Sequence, residues 1–142
     1  MLVRDILNKK GNKVFTSSPD TLIGEIANTL VKENIGAIVI IEKDLVVGIL
    51  SERDIVRGFT EKKSVRSTKA KELMTKNVIT CNTKNTTEEL LELMVKKHFR
   101  HIPVLQNNKL IGVVSIGDLV KDRTKRLKKE IDQLKSYVTK SY

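Results

Sequence analysis

Two short segments carry the residue types that could do chemistry. In Gly48-Ile49-Leu50-Ser51-Glu52-Arg53-Asp54 and again in Gly112-Val113-Val114-Ser115-Ile116-Gly117-Asp118, a glycine is followed three residues on by a serine and three further on by an aspartate. Each segment stands where an apolar, β-branched run gives way to a helix start. The spacing supports two readings. In one, Ser is a helix N-cap and Asp its N3 partner, which is plain capping. In the other, the helix amides and the Ser hydroxyl face a phosphate or sugar while the carboxylate accepts bonds from a ribose diol. Arg100 and His101 precede a second apolar run and are either a solvated turn or an anion contact. His98 and His101 stand three apart with no carboxylate or thiol set beside them, so no metal site is expected. His98 is expected to close its helix. Cys81 lacks a catalytic His partner in its context and reads as a packed thiol.

The elements that must position these residues come from an internal repeat. Laying Val14 on Val78, a shift of 64 residues, aligns the two segments without a gap, and Val14, Thr16, Gly48, Ser51 and Asp54 recur as Val78, Thr80, Gly112, Ser115 and Asp118. The lead-in also returns, Asp5-Ile6-Leu7 matching Glu72-Leu73-Met74 with an insertion around Gly11. Each copy predicts an extended piece (Val14–Thr16; Val78–Thr80), then a helix with Thr21 or Asn85 as N-cap. Asn85 and Glu88 are expected to make a capping box. Ile26 and Leu30, and Leu90, Leu91 and Met94, give each helix one buried face. The runs AIVII and HIPVL, the turns EKDL and QNNK, and the runs VVGILS and LIGVVS predict hairpins. A closing helix starts at Ser51 and at Ser115. The unit is β-α-β-β-α with a three-stranded sheet, whose uncovered apolar face calls for pairing of the copies about a pseudo-twofold axis. The fold class is α+β. The divisions are residues 1–60 (first motif with its lead-in), 61–77 (basic linker and lead-in), 78–121 (second motif) and 122–142. In the last, Leu127, Ile131, Leu134 and Val138 mark an amphipathic helix.

From about Val14 to Lys121 the two copies resemble tandem CBS motifs (the cystathionine β-synthase domain), the pair also called a Bateman module. The order of elements, the hairpin glycines, the S-E-R-D and S-I-G-D helix starts and F-R-H-I-P-V carry the resemblance, which is narrower still to small stand-alone CBS-pair proteins. It implies clefts between the copies that bind an adenosine-containing ligand, AMP, ATP, NAD or S-adenosylmethionine, with the Asp on the ribose. Carried over by residue, one cleft would combine Ser51, Arg53 and Asp54 with Arg100, His101 and Ile102. The other would combine Ser115 and Asp118 with Thr21, Gly36, Ala37 and Ile38, with Gly117 where the first has Arg53. Only the first concentrates positive charge, so phosphate is expected there.

The 142 residues, 39% hydrophobic and 31% charged, describe a chain of ordinary domain size with no apolar run long enough for a membrane. No secretory signal is read at the start, and a single cysteine allows no intrachain disulfide, so a reducing cytoplasm is the expected location. The net charge of +10 is localised. Residues 61–77 hold six basic groups against two acidic, and residues 121–142 hold eight against three, leaving the rest nearly neutral. The first function reading is a ligand-binding regulatory module acting on a protein target in trans, a homodimer without an obligatory cofactor or metal. The alternative is nucleic-acid association through the basic linker and tail, the less favoured reading because a charge run is usually a solvated face. An enzyme is not expected, because no acid–base pair or activated nucleophile can be assembled.

Overall fold

The structure, a computed structural model, describes residues 1–11 and 13–140. In chain order the elements are α1 (Val3–Lys10), β1 (Thr16–Ser17), α2 (Ile23–Glu33), β2 (Ala37–Glu42), β3 (Leu45–Ser51), α3 (Glu52–Thr60), α4 (Ala70–Leu73), α5 (Thr87–Lys97), β4 (His101–Gln106), β5 (Lys109–Ser115) and α6 (Ile116–Lys140). The expected mixed α+β class is observed, with the β-α-β-β-α order complete in the first copy and lacking its leading strand in the second. β2 pairs antiparallel with β3 from Ala37 opposite Ser51 to Glu42 opposite Leu45, and β4 with β5 from His101 opposite Ser115 to Gln106 opposite Lys109. Both central residues of each turn, Lys43 and Asp44, Asn107 and Asn108, have positive φ. That is the turn geometry whose twist suits a hairpin and which Asn and Asp adopt most readily.

The third strand differs between the copies. In the first, Thr16 and Ser17 pair parallel to Val39 and Ile40. In the second, only Cys81 bridges to Val104, and the sheet has two strands. The reason is Pro103. Val39 donates its amide to the Phe15 carbonyl, and the repeat puts a proline, with no N–H, in the place of that donor.

The expected N-caps are also displaced. Thr21 Oγ1 accepts from Ser18 N at 3.3 Å and Asn85 Oδ1 from Asn82 N at 2.8 Å, so both side chains serve the turn before the helix. The caps are Leu22 and Thr86. Thr86 Oγ1 accepts from Glu89 N at 3.1 Å, replacing the predicted Asn85–Glu88 box. Leu22 has no such oxygen, and the first amides of α2, Ile23 and Gly24, donate instead to the carbonyls of Thr68 and Val65.

Each lead-in packs on the other copy. Val3, Ile6 and Leu7 are buried with Leu90, Met94 and Val114, while Ala70 and Leu73 are buried with Ile26, Leu30 and Leu50. The backbone repeats the exchange, Val3 N donating to Asn85 O at 2.9 Å and Ala70 N to Thr21 O at 2.8 Å. The equivalent strands β3 and β5 meet between the copies, as a twofold arrangement requires. The hairpin glycines make the exchange possible. A Cβ on Gly112 would stand 2.6 Å from Leu7 Cδ2, and one on Gly48 would stand 2.8 Å from Met74 Cγ.

The closing helix of the second copy and the amphipathic tail are one element, α6. Leu119 and Asp122 are buried, and from Leu127 to Thr139 its side chains are exposed. Of the tail expected to residue 142, Ser141 and Tyr142 lie outside the described residues. Among the described residues no helix is long and apolar enough to cross a membrane.

Gly112→Ala is expected to cost about 1–3 kcal/mol of unfolding free energy through overpacking against buried Leu7. The double change Gly112→Ala with Leu7→Ala should recover part of that cost, an interaction that a double-mutant cycle in urea reads directly.

Candidate functional site

The Ser-x-x-Asp segments are built as reciprocal caps at the strand-to-helix junctions. Ser51 N donates to Asp54 Oδ2 at 2.9 Å and Asp54 N to Ser51 Oγ at 3.3 Å. Ser115 N donates to Asp118 Oδ2 at 2.9 Å and Asp118 N to Ser115 Oγ at 3.1 Å. The capping reading is therefore realised at both sites. Further amides at these helix starts are also engaged, Glu52 N with Gly36 O at 3.0 Å and Ile116 N with Arg100 O at 2.9 Å. The remaining chemistry rests with the carboxylates and with what surrounds them.

Asp54 is buried, and its second oxygen takes Arg57 Nη1 at 2.9 Å. The same guanidinium is half-exposed and donates through Nη2 to the Leu73 carbonyl at 2.9 Å, at the end of α4. Arg57 was missed from the sequence, although its place one helical turn after Asp54 is the signal that could have found it. Around this pair lies a cleft of about 390 Å³. The first copy contributes Ser51, Arg53, Asp54 and Arg57 together with Glu52, and the second contributes Lys97, Arg100 and His101. Arg53 reaches across to the His98 carbonyl at 3.3 Å. His98 closes α5 in the left-handed conformation, as Asn34 closes α2. With Arg53, Arg57, Lys97 and Arg100 against Glu52 and Asp54, the lining carries an excess of positive charge.

The other expected contacts fall elsewhere. Gly36 and Ala37, expected beside Ser115 and Asp118, line this same cleft. Ile38 and Ile102 are 2% and 0% exposed, in the two cores, because strand alternation turns them away from Ala37 and His101. Thr21 stays in its turn with Ser18.

At the second junction two larger side chains take the space. Lys10 Nζ donates to Asp118 Oδ2 and to the Val113 carbonyl, each at 2.7 Å. By the alignment of lead-ins, Lys10 stands where the first cleft has Asn77. Similarly, His101 faces Ser115 in the position that Ala37 holds beside Ser51. A Cβ on Gly36 would stand 3.1 Å from the His101 imidazole, so the ring lies against the other copy. Burial holds the His101 imidazole below its ordinary pKa, with the Lys10 and Arg100 charges acting the same way and Asp118 opposing them. Held below that value, the ring is neutral at neutral pH.

Among the described residues no cluster of His, Cys, Asp and Glu is arranged to hold a metal ion. Burial pushes the Cys81 thiol up to about 12, which makes it inert as a nucleophile.

Comparison with known proteins bears on this geometry. A family model described as CBS domain matches residues 3–61 and 70–124. The structure of a CBS-domain-containing protein from Agrobacterium tumefaciens is 42% identical, with a TM-score of 0.83, over 87% of this chain and 99% of that one. A CBS domain protein from Pyrobaculum aerophilum, complexed with AMP, is 25% identical with a TM-score of 0.79, over 90% of this chain and 97% of that one. A CBS domain pair in complex with 5'-methylthioadenosine and S-adenosyl-L-methionine is 26% identical with a TM-score of 0.80, over 89% of this chain and 98% of that one.

The His101 environment sets a pH dependence. Its folded value lies below the unfolded value of about 6.5, so its contribution to stability is complete above that pH and declines below it, where the unfolded chain takes up the proton first. Melting temperatures of the parent are expected to fall between pH 7 and pH 5, and His101→Gln should flatten that fall. Identical slopes would show that the ring titrates as a solvated histidine.

Proposed function

The chain belongs to the CBS-domain family, and from that premise we propose that it is a regulatory module binding an adenosine-containing ligand in the Asp54 cleft and acting on a partner in trans. The observation that carries the reading is the joining, in one cleft, of a helix-start carboxylate from one copy with Lys97 and Arg100 from the other. A volume of about 390 Å³ lies within the range of small-molecule sites. The ligands bound by the two similar structures, AMP in one and 5'-methylthioadenosine with S-adenosyl-L-methionine in the other, support an adenosyl compound.

The chain's own residues divide the work by charge. Asp54 Oδ1, now shared with Arg57, is the acceptor for ribose hydroxyls. Arg53, Lys97 and Arg100 offer charge-assisted donors to phosphate. Ala37, with only a methyl group opposite Ser51, leaves room for a flat base. The second junction is the poorer site, because Lys10 and His101 occupy it. No catalytic step is required. Ligand binding regulates to the extent that two arrangements of the copies bind it with different affinities, and by no more than that ratio.

Calorimetric titration with AMP, ATP, adenosine and S-adenosylmethionine is expected to reveal binding. Heats indistinguishable from dilution for all four at millimolar ligand would end the proposal. Asp54→Ala is expected to weaken AMP binding by about tenfold to a hundredfold, the loss of a charge-assisted hydrogen bond, whereas Asp118→Ala leaves it nearly unchanged. Equal losses in the two variants would remove the asymmetry. Replacing Arg100 and His101 by Gly and Ala should lower the preference for AMP over adenosine by over tenfold while sparing adenosine. An unchanged ratio would show that phosphate is held by other groups.

A further inference from the structure

Arg57 bonds both to the carboxylate of the cleft and to the lead-in that packs on its copy. Nη1 donates to Asp54 Oδ1 and Nη2 to the Leu73 carbonyl, each at 2.9 Å. The second contact has local causes. α4 ends at Leu73 and Met74 is already extended, so the last carbonyls of this short helix must accept from outside it. A cation suits that end. Gly58, next to Arg57, lets Leu73 come close, since a Cβ there would stand 2.7 Å from Leu73 Cδ1. Thr75, Asn77, Val78 and Ile79 then line the cleft. The second copy repeats neither contact. Lys121 takes the place of Arg57, and Asp118 is held by Lys10. α1 runs on to Lys10, so the carbonyl of Ile6, the counterpart of Leu73, lies inside a helix. The bridge belongs to the junction that is open.

We propose that Arg57 carries the filling of the Asp54 cleft to α4. Asp54 Oδ2 is engaged by Ser51 N at 2.9 Å and by Ser51 Oγ at 3.1 Å. A ligand hydroxyl therefore takes Oδ1, the oxygen that Arg57 holds. The guanidinium is a rigid planar fork, so drawing one arm off Asp54 swings the other off Leu73. Half-exposed, it turns to water or to Glu61, whose carboxylate is 3.9 Å from Nε. α4 keeps its apolar seat and loses the bond that pins its end. This role of Arg57 rests on the Asp54 cleft being an adenosyl site, and adds the route from occupancy to the packing between the copies.

Hydrogen exchange with and without AMP tests the proposal. The amides of Ala70, Lys71 and Met74 donate to the carbonyls of Thr21, Pro19 and Ala70 at 2.8, 2.9 and 2.8 Å. None of the three donor residues lines the cleft, so ligand contact does not protect them. Saturating AMP is expected to speed their exchange by about twofold to tenfold, the scale of one net hydrogen bond, and to leave the Gly11 amide at the end of α1 unchanged. In Arg57→Gln the exchange should be fast without AMP, and AMP should add nothing. Arg57→Lys keeps the charge without the fork and should lose the response in the same way. Adenosine, with no phosphate for the guanidinium to meet, should bind Arg57→Gln about twofold to tenfold more tightly than the parent, because the competitor for Oδ1 is gone. Slower or unchanged exchange of the three amides with AMP bound, a response that persists in either variant, or weaker adenosine binding by Arg57→Gln would each overturn the inference and leave the ligand-binding reading in place. Absence of AMP binding to the parent would remove that reading and the inference with it.

Discussion

Everything in this molecule depends on the exchange of its two lead-in segments. A sheet of two or three strands with helices on one side has an apolar face left over, and Leu7 and Met74 cover that face on the opposite copy, against Gly112 and Gly48. Full burial of one such side chain contributes about 1.5–3 kcal/mol. α1 alone buries three such side chains, Val3, Ile6 and Leu7. Neither copy has a complete core by itself, so the two fold as one unit. The exchange also makes the cleft. The chain leaving α4 runs through Thr75, Asn77, Val78 and Ile79 along the mouth of the Asp54 site, and the end of α1 delivers Lys10 to the Asp118 site.

The repeat supplies symmetry, and a few side chains break it. Ala37 faces Ser51 where His101 faces Ser115, and Asn77 follows one lead-in where Lys10 follows the other. A methyl group and an amide leave a cavity; an imidazole and a lysine tied to Asp118 and Val113 close one. The same exchange of residues sets the charge. Arg53 adds to the open side, and Gly117 adds nothing to the closed side. One open site follows from two equivalent helix starts without any change in backbone plan.

What the sequence made legible follows from what repeats locally. Period-two runs, turn residues and the Ser-x-x-Asp caps are written within a few residues, and the hairpins and helix starts stand where those signals put them. The displaced caps show the limit. Thr21 and Asn85 are good N-caps by type, but the turns at Ser18 and Asn82 claim their oxygens first. The weakened third strand was written plainly in Pro103, whose missing N–H matters only against a parallel neighbour that sequence alone does not reveal. Ser51, Asp54, Arg100 and His101 share one cleft, and Gly36 and Ala37 join them there. Which lead-in covers which copy was not legible, since both carry the same apolar spacing and only the three-dimensional notch at each glycine distinguishes the outcomes. For the same reason Lys10 was invisible as a site residue, because its role comes from where an exchanged segment ends, whereas Arg57 was signalled by its place one turn after Asp54.

Arg57 ties the site to that constraint. Through Nη1 it holds Asp54, and through Nη2 it holds the Leu73 carbonyl at the end of α4, whose next residue, Met74, covers Gly48. A ligand hydroxyl that takes Asp54 must share the carboxylate with this guanidinium or displace it. Because the pair is half-open to water on the Arg57 side, displacement costs little there, whereas Asp54 is buried and cannot be left without a partner. Filling the cleft and pinning α4 are therefore competing uses of one side chain. Any difference in ligand affinity between two arrangements of the copies has a physical place to arise in the Asp54–Arg57–Leu73 chain of contacts, which joins the binding cleft to the packing on which both repeats depend.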